Sequence, residues 1–550
     1  VMKIELEATD IDNYEPIRII NNSIKFDDPS QGCIAIRIVQ QNRAILIQNC
    51  SFYQCSKVYN QKETYENCLS FNSMKKVEIN ECQFYQCGVC SDNGCPSPSG
   101  GGNVIVIQSN VEECIINKCR IEFTNEHQGG SGISTYTDNI LIEENEFIKC
   151  YENTILIQCK TEGENELRII NNTFRGSSEG PIISFWTNSY LTKTPIIKDN
   201  TFKDITVLQN DEIGINIQVD QDITEIEFNN NTFDKYEIQL KNIGINIVRK
   251  AGGTTNPIKV KHTDSKFINM KQKRRDESNI EEIQFEFERC LFEGNEGRYY
   301  GGSLYINNNK QTIIQECQFI SNFATQRKGG TSNLPGEGGC IYINQGEVHI
   351  SGSNFTNNHC GKGEAIYINN NQGILIIDEN CQFKNNFDIN QINTKQYSIQ
   401  SNSEHLSITN TEFITSIDNQ AETTYEYQCG FIYLTNSGKI EIQTCKFNNH
   451  NFRSSILYDI EETTDDNQMT IESCEFNECL TDVININLQA NSKETFNINN
   501  CKFERCTGRD DGPSNTIEIS RQTKNIRLSI ENNIFHNCGK LKDNNYVMKI

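Results

Sequence analysis

The chain carries one tryptophan, Trp186, five methionines and nine prolines in 550 residues. Hydrophobic residues make up only 36%. That is too little to wrap several large globular cores, but enough to fill a narrow core running along an axis. No run of 18 apolar residues occurs, so no membrane-spanning helix is encoded. Positive charge is scarce, with 50 Lys and Arg against 73 Asp and Glu and a net charge of −23. Nucleic acid is excluded as a partner, because phosphate neutralisation needs clustered cations. An acidic, solvated surface suits an extracellular object in contact with divalent cations or glycans.

Catalytic signatures are missing as well. The seven histidines (127, 262, 349, 359, 405, 450 and 536) sit in no HExxH or Ser-His-Asp context, which makes each a surface or turn residue. Asp27-Asp28, Asp465-Asp466 and Asp510-Asp511 are adjacent acids that point apart on extended chain, whereas glycoside hydrolysis needs two acids facing one groove. The stretch TDIDNYE, with Asp10, Asp12 and Asn13, lacks the glycine and terminal glutamate of a calcium loop. Gly100–Gly102 opens no helix that could cradle phosphate, and KQKRRDE at 271–277 reads as a solvated loop. Cys87-Gly88-Val89-Cys90 has no second pair to complete a zinc site. The expectation is a protein without catalytic residues, cofactor or metal.

One pattern returns along the whole length: apolar, any, apolar, two residues, a small polar residue, any, Phe. It reads IRIINNSI at 17–24, ILIQNCSF at 45–52, VEINECQF at 77–84, LRIINNTF at 167–174 and IEIQTCKF at 440–447. Eighteen copies are separated by 25 to 37 residues. So elastic a spacing excludes heptads and fits coils with fixed strands and variable outer loops. Alternation at the apolar pair predicts a strand with both side chains on one face. The three-residue step before the polar–any–Phe pair breaks the period of two, so a corner belongs there, where Asn tolerates a left-handed backbone.

The small polar position is Asn, Cys, Ser or Thr in all eighteen copies, from Asn22, Cys50 and Cys82 to Cys474, Cys501 and Asn533. Such a column would stack at about 4.8 Å per rung, with Asn bonding up and down the stack and Cys filling the same space. A second column lies five residues on: Cys55, Cys87, Cys150, Cys479, Cys506 and Cys538, with Asn295, Asn322, Asn358 and Asn386. A third strand follows in most copies, as in GGSLYIN at 301–307 and GGCIYIN at 338–344. The predicted fold is all-β: a right-handed parallel β-helix over 1–550, about eighteen three-stranded rungs with an internal Asn/Cys ladder.

Gly301-Gly302-Ser303-Leu304, with Phe319 to Asn322, Phe355 to Asn358 and Phe383 to Asn386, resembles the polymorphic outer-membrane-protein repeats. The whole chain resembles the right-handed β-helix superfamily of pectate lyases and surface adhesins. That resemblance implies the architecture and leaves activity open.

The 24 cysteines imply an oxidising compartment, extracellular or at the cell surface. Five extended residues span about 15 Å, beyond disulfide reach, whereas stacked copies lie near 5 Å apart. The candidate pairs are therefore Cys55–Cys87, Cys290–Cys317, Cys50–Cys82, Cys474–Cys501 and two of Cys479, Cys506 and Cys538. Cys90 and Cys95 would close their own Gly/Ser/Pro loop. Buried filler thiols are the alternative. Sequons at Asn21, Asn49, Asn171, Asn230 and Asn354 predict outward glycans, four of them one residue before the column.

VMKI occurs at 1–4 and again at 547–550. Splicing there gives a period of about 546 residues, which predicts one unit of a tandem or end-to-end array. Each unit would be about 86 Å long at ~4.8 Å per rung. The expected function is a structural subunit of an extracellular fibre or appendage that associates with copies of itself. An adhesin or carbohydrate-binding stalk using Trp186, Tyr299 and Tyr300 is the alternative; a polysaccharide lyase or hydrolase comes third.

Overall fold

Along each strand an inward Ile, Val, Leu or Phe alternates with an outward polar residue, as in Ile45, Leu46 and Ile47, of which only the first and third are buried. In the computed structural model this alternation packs short parallel strands into solenoids, and among the described residues there is no helix. The described residues are 16–25, 36–38, 43–55, 67–87, 103–108, 111–123, 132–137, 139–150, 154–157, 166–176, 182–185, 190–207, 215–220, 222–235, 237–238, 245–249, 258–272, 283–325, 336–369, 373–386, 396–415, 429–435, 437–449, 454–460, 467–479, 483–488, 494–506, 516–521, 526–538 and 547–549.

The chain divides into two compact units, Val1–Lys266 with Gln272–Asp276, and Phe267–Lys271 with Glu277–Ile550. In the first unit, one face runs from Ile17–Ile20 through Ala44–Gln48, Lys76–Asn80 and their successors to Ile258–Thr263, every neighbour parallel. A second face starts at Ser23–Lys25 and carries the Phe positions. A third face is an eight-stranded sheet from Ile36–Ile38 to Ile245–Arg249.

The second unit repeats the plan, with nine second-face strands from Leu291–Glu293 to Ile534–His536. Here two long strands, Leu304–Gln315 and Ile341–Ser351, run from the third face straight into the first. The parallel β-solenoid is as predicted. The count is not: neither unit holds the roughly eighteen rungs expected of a single stack.

Side chains at equal positions lie over one another. Phe147, Phe174, Phe202 and Phe233 stack with ring centroids 5.0, 4.9 and 4.7 Å apart and planes within 6°. In the second unit, Phe292, Phe319, Phe355 and Phe383 stack in the same way at 4.6 to 4.7 Å. Aromatic pairs left to themselves prefer offset or edge-on contacts. Here the strand spacing of about 4.8 Å sets the rings parallel in columns, at centroid distances typical of offset stacks.

The Gly-Gly pairs of the second unit mark a close backbone approach. A Cβ on Gly339 would sit 1.9 Å from the carbonyl oxygen of Glu364, and one on Gly302 would sit 2.1 Å from that of Gly339. Only glycine lets successive rungs close here.

His262 overturns the expectation that all the histidines lie at the surface or in turns. It is fully buried, occupies an inward first-face position, and stacks on Phe228 at 4.9 Å. Its flat ring fits the slot that Phe fills one rung earlier.

Candidate functional site: the two internal ladders

The first column runs through each unit, and its buried asparagines follow one bonding rule. The Nδ2 of Asn172 donates to the carbonyl of Ile142 at 2.8 Å, and its Oδ1 accepts from the backbone N–H of Asn145 at 2.9 Å. Asn200 does the same toward Ile169 and Asn172, and Asn231 toward Ile197 and Asn200. Each side chain thus serves the preceding rung, giving to its carbonyl and taking from its amide.

Cysteine obeys the same rule. The thiols of Cys82 and Cys119 point at the carbonyls of Ile47 and Ile79, at 3.7 and 3.4 Å. The Sγ of Cys317 accepts from the amide of Cys290 at 3.4 Å, and its thiol donates to the carbonyl of Phe287 at 3.3 Å. Ser265 takes the role with a hydroxyl, whereas Ser353 accepts from the amide of Cys317 and donates to the carbonyl of Ser351 in its own rung. The column therefore selects any compact side chain that both donates and accepts.

In the second column the accepting carbonyl belongs to the Phe of the preceding rung. Asn322 reaches Phe292, Asn358 reaches Phe319 and Asn386 reaches Phe355, all at 2.9 Å. Cys87 reaches Phe52 at 3.3 Å and Cys506 reaches Phe476 at 3.5 Å.

The left-handed corner residue is the one before the column, not the column residue itself. It is Asn at 21, 49, 171 and 230, but also Glu81, Lys118, Glu144 and Arg289, all with φ between 49° and 58°. Closure of the rung imposes the conformation on whatever residue stands there.

Nineteen cysteines have described side chains; all are unbridged thiols, and all but Cys538 are buried. Burial pushes the thiols of Cys114, Cys150 and Cys381 up to about 12. Such groups stay protonated and are poor nucleophiles. Of the disulfide candidates, Cys50 and Cys82, Cys290 and Cys317, and Cys474 and Cys501 stand one rung apart in the first column. Cys55 and Cys87, and then Cys479, Cys506 and Cys538, do so in the second. Cys90 and Cys95 lie outside the described residues. Cys55 and Cys87 have a third companion that spacing did not reveal: Cys68, with all three Sγ atoms within 4.8 Å of one another.

Asn21, Asn49, Asn171 and Asn230 are exposed at the outer corners, and Asn354 is exposed on a second-face strand. Asn49 donates to Asn21 Oδ1 at 2.7 Å, so the corners form a short outer ladder. Tyr299 and Tyr300 belong to an aromatic patch of the second unit. Tyr300 meets Tyr342 at 4.4 Å, Tyr305 stacks on Tyr342 at 5.3 Å, and Lys362 lies over Tyr367 while pairing with Glu337. Trp186, the three adjacent acid pairs and the TDIDNYE segment lie outside the described residues. Compared with known proteins, the chain matches no family model, no curated protein and no solved structure.

Proposed function

We propose that this chain is a structural subunit of an extracellular fibre or surface appendage that stacks end to end on copies of itself. One observation carries the reading. Every rung of a unit presents the same parallel edge and the same side-chain columns, so the surface that receives the next rung of one copy also suits a rung of another. The inward positions of the strands at 526–531 and 534–536 support it. Leu528, Ile530 and Phe535 are only half-buried there. The exposed sequons would carry glycans along an edge that leaves the stacking surface free. Oxidation of one-rung neighbours such as Cys290 and Cys317 would tie adjacent rungs within each copy outside the cell.

The test is polymerisation of the purified full chain, followed by sedimentation and electron microscopy. Filaments are expected, with an axial spacing of about 4.8 Å in fibre diffraction. Phe535→Lys, at a half-buried inward position, should abolish them, and Ile196→Lys, at an exposed outward position, should not. A chain that stays monomeric at every concentration contradicts the proposal.

The carbohydrate-binding alternative draws on the patch around Tyr299 and Tyr300. It is weakened by the burial of Tyr342 and Tyr367, 2% and 8% exposed, which leaves few ring faces for a sugar.

A further inference from the structure

Cys55 and Cys87 are consecutive members of the second column. Cys87 directs its thiol at the carbonyl of Phe52 at 3.3 Å, and Cys55 directs its own at Ile24 at 3.9 Å. Cys68 approaches from a different face. It immediately precedes the third-face strand Leu69–Phe71, where its carbonyl accepts from Ile36 N–H at 3.1 Å and its amide donates to Asn103 at 3.2 Å. Two rungs and two faces thus converge on one point inside the first unit. The three residues are at most 1% exposed, and their Sγ atoms all lie within 4.8 Å of one another. Elsewhere the thiols of one column follow one another in single file, so a third sulfur does not close a triangle. Among the described residues this is the one group of three or more His, Cys, Asp or Glu side chains with metal-binding spacing.

The donor set decides the chemistry. Three sulfurs without an oxygen or nitrogen ligand exclude calcium and magnesium, which need oxygen. Zinc in structural sites is almost always four-coordinate, and only three ligands meet here. Soft thiolates select copper(I) among the available d10 ions. With metal–sulfur bonds of about 2.3 Å, a trigonal plane puts the sulfurs about 4 Å apart, a contraction of less than 1 Å from the observed limit.

We infer that Cys55, Cys68 and Cys87 form a buried three-thiolate site for a soft monovalent cation, copper(I). Binding exchanges thiol protons for the ion, so affinity rises with pH. The site excludes a disulfide between Cys55 and Cys87 while it is filled. It does not depend on the fibre reading.

The test uses the full chain, reduced and kept under nitrogen, titrated with copper(I) against a chromophoric copper(I) chelator. The chain should withhold one equivalent, and X-ray absorption should show three sulfurs at about 2.3 Å. Cys68→Ser should lower the affinity on the order of 100-fold or more, since loss even of outer partners costs 10–100-fold. Cys114→Ser, which removes a buried thiol elsewhere in the same unit, should leave binding unchanged. Four outcomes would each overturn the assignment: no copper withheld, equal loss in Cys114→Ser, a first shell with two sulfurs or with oxygen or nitrogen, or tighter four-coordinate binding of zinc. If Cys68→Ser fails to fold, the absorption spectrum of the unaltered chain decides alone.

Discussion

The thiol of Cys119 reaches the carbonyl of Ile79 at 3.4 Å, the same bond that Asn145 makes one rung later to Ile116 at 2.8 Å. Cysteine and asparagine are therefore equivalent here, because each returns a donor to the preceding carbonyl and offers an acceptor to the preceding amide. The equivalence explains why so many cysteines occupy buried positions among the described residues.

It follows that Asn172→Cys is tolerated and Asn172→Leu is not. Leucine strands the Asn145 amide and the Ile142 carbonyl, at about 1–3 kcal/mol for each buried group. Cysteine keeps both bonds in weaker form and should cost less than half as much. Amide hydrogen exchange at Asn145 reads the difference locally, which suits a solenoid that need not unfold in one step. Equal losses for the two variants would contradict the equivalence.

Thr444 holds a left-handed backbone, φ 53°, despite its β-branch. Residues in that region cost of order 1–3 kcal/mol, least for Asn and Gly. Thr444→Asn should stabilise the second unit by about 1 kcal/mol in denaturant titration. Destabilisation would show that the Thr444 hydroxyl bond to Asn410 outweighs the backbone term.

Burial lowers the pKa of His262 from 6.5 to about 3. The unfolded chain takes up a proton near pH 6.5, and the folded chain resists until about pH 3. Its contribution is therefore intact above pH 6.5 and is lost as pH falls between those values, at about 1.4 kcal/mol per pH unit. His262→Phe should extend the Phe228 stack and remove that part of the slope. Parallel pH profiles for variant and parent would contradict this.

Gly339→Ala places a Cβ against the Glu364 carbonyl, and neither backbone can retreat without breaking a rung. The loss should be roughly 3 kcal/mol or more in thermal or denaturant unfolding. A neutral result would mean that the rungs near Gly339 close less tightly than described.

Much of this architecture is legible in the sequence because each rung repeats one inward–outward code. Ile45, Ile47, Cys50 and Phe52 recur as Val77, Ile79, Cys82 and Phe84, and so the strands, both columns and the outer corners can be read before any coordinates. What the repeat hides is whatever depends on the loops. Cys68 meets Cys55 and Cys87 from the third face, and the elastic spacing of the third strand leaves its register unreadable. Lys118 and Arg289 adopt left-handed corners against their own preference, since the neighbouring rungs fix them. His262 occupies the second apolar slot of its repeat, so the register places it inward, and only its residue type suggests the surface.

The most direct measurement is alkylation of the reduced, folded full chain by a small thiol reagent, mapped by mass spectrometry. If the polar column is internal, Cys82, Cys119, Cys317 and Cys474 remain unmodified while half-exposed Cys538 reacts, and all five react on unfolding. Modification of the column cysteines in the folded chain as fast as Cys538 would place them in solvent and contradict the ladder.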